Sequence, residues 1–266
     1  MKIFHSLSSE ELVRLKCLRN QKSKKFKVGF FGASETMWYE FHAPGVEYTS
    51  YIDMLVKKLN FDVVYFGKGS YSEERVFHEI KKIKNIDLAI VFHANNGYVS
   101  IPKGNRDYKI LTERNIKATA NYIFNPKHSY LKDSNGVKLF GTKENLVNVL
   151  MAYKKYFYDG NWFQDRFLAM SMMIDNYLLN KKIKSFHLIR KNFYPSWFKF
   201  LSGPVDNKIL DYIEKNHKVY NNEKNYADEQ KKGIRHGNLI DAEGQQVLFD
   251  LLYPIIEKLI TEYNQK

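Results

Sequence analysis

Three apolar runs in the first hundred residues each end in small or amide residues, and a stretch with helical spacing follows each of the first two. Phe26 to Phe31 closes on Gly32, Phe61 to Phe66 on Gly67-Lys68-Gly69, and Asp87 to His93 on Asn95-Asn96-Gly97. Runs this short, bounded by turn residues, read as buried strands. After the first run, Tyr48, Tyr51, Ile52, Leu55, Val56 and Leu59 recur at helical spacing, so a helix is expected over 48–59. After the second, Ser72 followed by Glu73, Glu74 and Arg75 opens a helix to about residue 82. A strand from Ser185 to Ile189 extends the series. Strands alternating with helices specify an α/β class, a doubly wound and mostly parallel sheet with helices on both faces.

The rest of the chain is arranged around that core. Ser8 and Glu11 form a capping-box pattern that opens a short helix through about Arg19. Residues 98–141 contain Pro102, Gly104, Pro126, Gly136 and Gly141 with little periodicity, and read as an insertion over one sheet end. Helices are expected over 142–156 and 162–180, the second with Phe163, Phe167, Met170, Ile174 and Tyr177 on one face as core. Residues 190–235 are irregular and rich in aromatics, Asn and Lys, and a last helix runs from about Ala242 to Glu262 with Asp241 as its N-cap. The expected organisation is a basic helix and linker over 1–25 and an α/β domain over 26–266, with 98–141 inserted in it. No internal repeat is found.

Composition narrows the partners. Lys and Arg number 42 against 29 Asp and Glu, a formal net charge of +13. Eight of the 42 are Arg, where readers of phosphates and bases favour the planar Arg fork. The densest cluster, Lys22, Lys24, Lys25 and Lys27, reads as a solvated face, and no zinc-finger, RNP or helix-turn-helix signature accompanies it, so nucleic acid is not the expected partner. No apolar run reaches the roughly 18 residues that span a bilayer. Cys17 is the single cysteine and no apolar leader is visible at the N-terminus, so the expectation is a cytoplasmic setting without membrane attachment. With one Cys and no His-x-x-x-His or Cys-x-x-Cys spacing, no metal site is expected.

Ligands of such sheets sit at the carboxyl ends of the strands. There the sequence offers the Ser34 hydroxyl in Gly32-Ala33-Ser34, backbone N–H groups in the loop around Gly69, and the side-chain amide of Asn95. A nucleophile with two kinds of oxyanion donor is what acyl transfer needs. A base is also needed, and His236 lies shortly before the last helix. This order resembles the SGNH (GDSL-type) hydrolase family, whose catalytic blocks stand at successive strand ends of a flavodoxin-like sheet. Phe31 to Thr36 looks like the first block, with Ser34 as nucleophile. Gly69 looks like the second-block glycine and Asn95 like the third-block asparagine. The stretch from His236 to Gly244 looks like the fifth block, an Asp-x-x-His before the last helix. The resemblance covers most of residues 26–260 and is carried by order and spacing more than by identity. It implies a serine esterase or acyltransferase acting on small acyl esters, including acetyl groups on carbohydrates, through an acyl-Ser34 intermediate and with no organic cofactor.

The chain departs from the family pattern in three places. Ala33 stands where the first block has Asp, and Asn96 where the third has Asp. Aligned without a gap on the helix start, the fifth-block His falls on Leu239 and its Asp on His236. With His236 as base, the Asp position becomes Gly233, and Asp228 is the candidate carboxylate from farther back in the loop. The same departures support the alternative of a catalytically degenerate member, a carbohydrate- or partner-binding protein whose cleft is lined by Trp38, Tyr39, Tyr71 and the aromatics of 190–200. Each candidate also has a plain structural reading. Ser34, Gly69 and Asn95 are common turn residues, His236 is a loop histidine, and His93 reads as a hydrogen-bonded core residue. A dinucleotide loop is disfavoured because Glu35 would face the pyrophosphate and the next helix starts too late to receive it. No Gly-x-x-x-x-Gly-Lys-Ser/Thr phosphate loop occurs.

Overall fold

The computed structural model describes residues 16–32, 49–67, 72–93, 98–100, 107–109, 116–117, 119–121, 124, 141–156, 160–189, 199–216 and 242–265. Its centre is a five-stranded sheet in the order β2-β1-β3-β6-β7, every neighbouring pair parallel. The strands are β1 (Lys27–Phe31), β2 (Asp62–Tyr65), β3 (Leu88–Phe92), β6 (Lys184–Leu188) and β7 (Val205–Asp206). This is a doubly wound α/β sheet with the flavodoxin-like strand order. β4 (Tyr98–Ser100) and β5 (Asp107–Lys109) pair separately as an antiparallel ribbon.

Side-chain alternation sorts the core into two layers. Val28, Phe30, Leu88, Ile90, Phe92, Phe186 and Leu188 face helices α1 (Tyr51–Leu59), α5 (Ile209–Asn216) and α6 (Ala242–Asn264). Phe31, Ala89 and Val91 face α2 (Glu73–Lys82) and α4 (Gly160–Asn180). Period-2 alternation with both faces apolar is what a sheet covered on both sides requires. Gly29 stands inside β1 because the Phe31 ring folds back over it; a Cβ there would lie 2.5 Å from a ring carbon. A small separate cluster of Ile116, Ala120, Leu146 and Leu150 joins the residues before α3 (Lys143–Tyr156) to that helix.

Helix ends follow local chemistry. Ser50 caps α1 by accepting from Asp53 N–H at 3.1 Å, and Ser72 caps α2 by accepting from Arg75 N–H at 3.3 Å. Tyr51 N–H donates at 2.9 Å to Oε1 of Gln245, pinning the start of α1 to α6. Residues 16–20 are helical, and Cys17 is buried in the same cluster as Val28 and Tyr51.

Two segments hold more structure than their sequences suggested. Residues 98–141, read as aperiodic, carry the β4–β5 ribbon and helical residues at 116–117 and 119–121. Residues 190–235, read as irregular, carry β7 and α5. The signal for α5 was present. Asp206 Oδ1 accepts from the N–H groups of Lys208 (2.8 Å) and Ile209 (2.7 Å), and Ile209, Leu210 and Ile213 follow at helical spacing. β7 is two residues long, too short to show a period. The expected N-cap Asp241 lies outside the described residues.

Candidate functional site

Ser34, Gly69, Asn95, His236 and Asp228 all lie outside the described residues, as do Trp38, Tyr39 and Tyr71. What the structure describes is the frame from which three of them hang, and a buried polar array behind it.

The array begins at the carboxyl end of β3. His93 follows Phe92, and its N–H donates to Leu188 O at 2.9 Å, so the backbone still pairs with β6. His187 is the fourth residue of β6, in register with Val91. Alternation turns both imidazoles toward α2 and α4. Nε2 of His93 lies 2.8 Å from Nδ1 of His187. The ring centroids are 5.1 Å apart and the planes differ by 18°, so the rings meet edge to edge in one plane and share a hydrogen bond along it.

Carboxylates close both ends. Glu73, the first residue of α2, places Oε1 2.8 Å from Nδ1 of His93. A carboxylate there also meets the positive end of the helix. Oε2 of Glu73 is buried and has no hydrogen-bond partner among the described residues. At the other end, Asp175 on α4 accepts from His187 Nε2–H at 3.1 Å, from Ser202 N–H at 2.7 Å and Ser202 O–H, and from Gly203 N–H at 3.3 Å. Ser171, one helical turn before Asp175, lies 3.1 Å from Nδ1 of His93 and gives its hydrogen to Phe167 O at 3.0 Å. The four titratable residues are nearly sealed from solvent, with 4% of Glu73, 3% of His93, 2% of Asp175 and none of His187 exposed. Buried charges persist only when paired in this way.

Electrostatics polarise the array. Burial alone would raise the Asp175 carboxyl, but the hydrogen bonds from His187 and Ser202 outweigh it and hold the group well below the usual carboxylate range. Burial pushes His187 down; the Asp175 hydrogen bond opposes this, the charge of His93 adds to it, and the imidazole ends at about 4. Asp175 is therefore a fixed anion and His187 a neutral ring at neutral pH.

The reading of His93 as a hydrogen-bonded core residue agrees with this geometry. Glu73, Asp175, Ser171, His187 and Ser202 were not singled out from sequence. The available signals were a histidine inside an apolar strand run, and Ser171 and Asp175 four residues apart within a helix whose Phe167, Ile174 and Leu178 are core. Among the described residues no group of three or more His, Cys, Asp or Glu could hold a metal ion. The polar atoms of this array run in series and do not converge on a point. No helix among the described residues is long and apolar enough to cross a membrane. A scan of protein-family models and a search of the curated proteins find no match to this chain.

Proposed function

We propose that the chain is a serine ester hydrolase or acyltransferase of SGNH type, acting on small acyl esters. The observation that supports this reading is the strand order. β2, β1 and β3 are side by side and parallel, so their carboxyl ends share one edge, where ligands of open α/β sheets bind. Ser34 is three residues beyond Phe31, Gly69 four beyond Tyr65, and Asn95 three beyond Phe92. Chain connectivity alone keeps each within about 11–15 Å of its strand end, at 3.8 Å per residue.

In this reading Ser34 Oγ attacks the ester carbonyl carbon while His236 takes its proton, with Asp228 orienting the imidazole. The N–H groups of Ser34 and Gly69 and the Asn95 amide hold the oxyanion. Collapse expels the alcohol, which receives the proton from His236, and leaves acyl-Ser34. Water, or an acceptor hydroxyl, then attacks the acyl carbon with His236 again as base and frees the serine. The test is hydrolysis of p-nitrophenyl acetate together with fluorophosphonate labelling. The expected result is one label on Ser34 and a loss of about a thousandfold or more on Ser34→Ala with the fold retained. A folded wild type that neither turns over esters nor takes the label overturns the esterase and leaves the binding-protein alternative.

A further inference from the structure

We propose that Glu73, His93, His187 and Asp175 form a proton-sharing relay that positions the end of β3 for the strand-end chemistry, with Asp175 setting where the hydrogens sit on both rings from the α4 end. The positioning role rests on the hydrolase reading; the proton arrangement does not.

The hydrogens can be counted from the contacts. Asp175 is an acceptor for four donors, so Nε2 of His187 carries a hydrogen and Nδ1 presents a lone pair. That lone pair faces Nε2 of His93 at 2.8 Å, so this nitrogen also carries a hydrogen. Ser171 has one hydroxyl hydrogen and spends it on Phe167 O, so at 3.1 Å it accepts from Nδ1 of His93. Both nitrogens of His93 are then protonated, and an imidazolium is held between the Glu73 carboxylate and a neutral His187. The ring is fixed by three side chains, from α2, β6 and α4. It stands two residues before Asn95, so the last described residue at the end of β3 is fixed by a buried charge pattern. The two ends differ. Every oxygen of Asp175 is taken, whereas Glu73 keeps one oxygen without a partner among the described residues.

Asp175→Asn tests this with little change of shape. The amide oxygen keeps the Ser202 donors, and the amide N–H₂ faces His187. Nε2 must then accept, the hydrogen moves to Nδ1, and His93 in turn accepts at Nε2 and keeps only its Nδ1 hydrogen toward Glu73. The experiment is histidine ring ¹⁵N spectroscopy on full-length wild type and variant, with kcat and KM for p-nitrophenyl acetate. The expected wild-type pattern is a His93 ring protonated on both nitrogens and a His187 ring protonated on Nε2. In the variant both rings carry hydrogen on Nδ1 alone, and kcat falls about 10- to 100-fold with KM nearly unchanged, the effect of misplaced geometry. A wild-type His93 with one protonated nitrogen overturns the relay, and this measurement needs no variant to fold. A flipped variant with wild-type kcat overturns the positioning role. A wild type with no ester turnover and no label on Ser34 overturns the hydrolase reading and the positioning role with it, while the spectra still decide the proton arrangement.

Discussion

Gly203 stands where a side chain would strike β6. A Cβ on it would meet Ser185 Oγ, the Ser185 carbonyl oxygen at 2.9 Å and Cδ2 of His187 at 3.0 Å. The Ser185 carbonyl belongs to the backbone of a buried central strand and cannot retreat. Glycine therefore lets the 202–203 backbone press against β6 and aim two N–H groups at Asp175. Gly203→Ala forces that backbone outward, loosening the donors that keep Asp175 ionised. The expected loss is about 1–3 kcal/mol, the usual cost of overpacking, read as a lower denaturation midpoint at unchanged m-value. A variant as stable as wild type would show that the 202–203 backbone moves freely and does not hold the carboxylate.

At the scale of elements, the array depends on how α4 stops. Lys182 N–H donates to Leu179 O and Ile183 N–H to Leu178 O, each at 2.9 Å, the two bonds of a Schellman ending. Ile183 packs in the same cluster as Leu178, the apolar contact that accompanies the motif. This tight ending turns the chain straight into β6, so Asp175 on the helix and His187 on the strand face each other across 12 residues. The left-handed position is filled by Lys182 at φ 57°, where a side chain crowds the following carbonyl oxygen. Lys182→Gly is expected to raise stability by about 0.5–1 kcal/mol, the relief of that crowding less the extra freedom of the unfolded glycine. Urea denaturation measures it, and a loss of stability would mean the Lys182 side chain makes a contact worth more than the strain. The sequence showed where this helix ends, because the Phe163 to Tyr177 periodicity stops there. It did not show how the helix ends, since Lys181-Lys182 lacks the glycine that marks such turns.

For the molecule as a whole, the fold was legible and the array was not, for one reason. Alternating apolar runs and amphipathic stretches are local, and they dictated a doubly wound sheet without knowledge of which strands touch. The array is nonlocal. His93 and His187 are 94 positions apart and meet because β6 returns beside β3, a pairing that neither run encodes by itself. That long-range pairing should also govern how the protein meets acid. His187 titrates near 6.5 when unfolded and at about 4 in the fold, so between those values the unfolded chain binds the extra proton. Its share of stability, about 3 kcal/mol, is complete above pH 6.5 and is lost as pH falls toward 4. Asp175, held below the ordinary carboxylate range by its hydrogen bonds from His187 and Ser202, acts in the same direction in stronger acid, adding stability above that range that disappears below it. Thermal unfolding should therefore drop by roughly 6–12 °C between pH 6.5 and 4 from His187 alone. His187→Gln removes that group while keeping a side chain that can bond to Asp175, so the variant begins lower and descends less over the same interval. Parallel curves for the two proteins would mean that His187 is not the buried neutral ring on which the array depends.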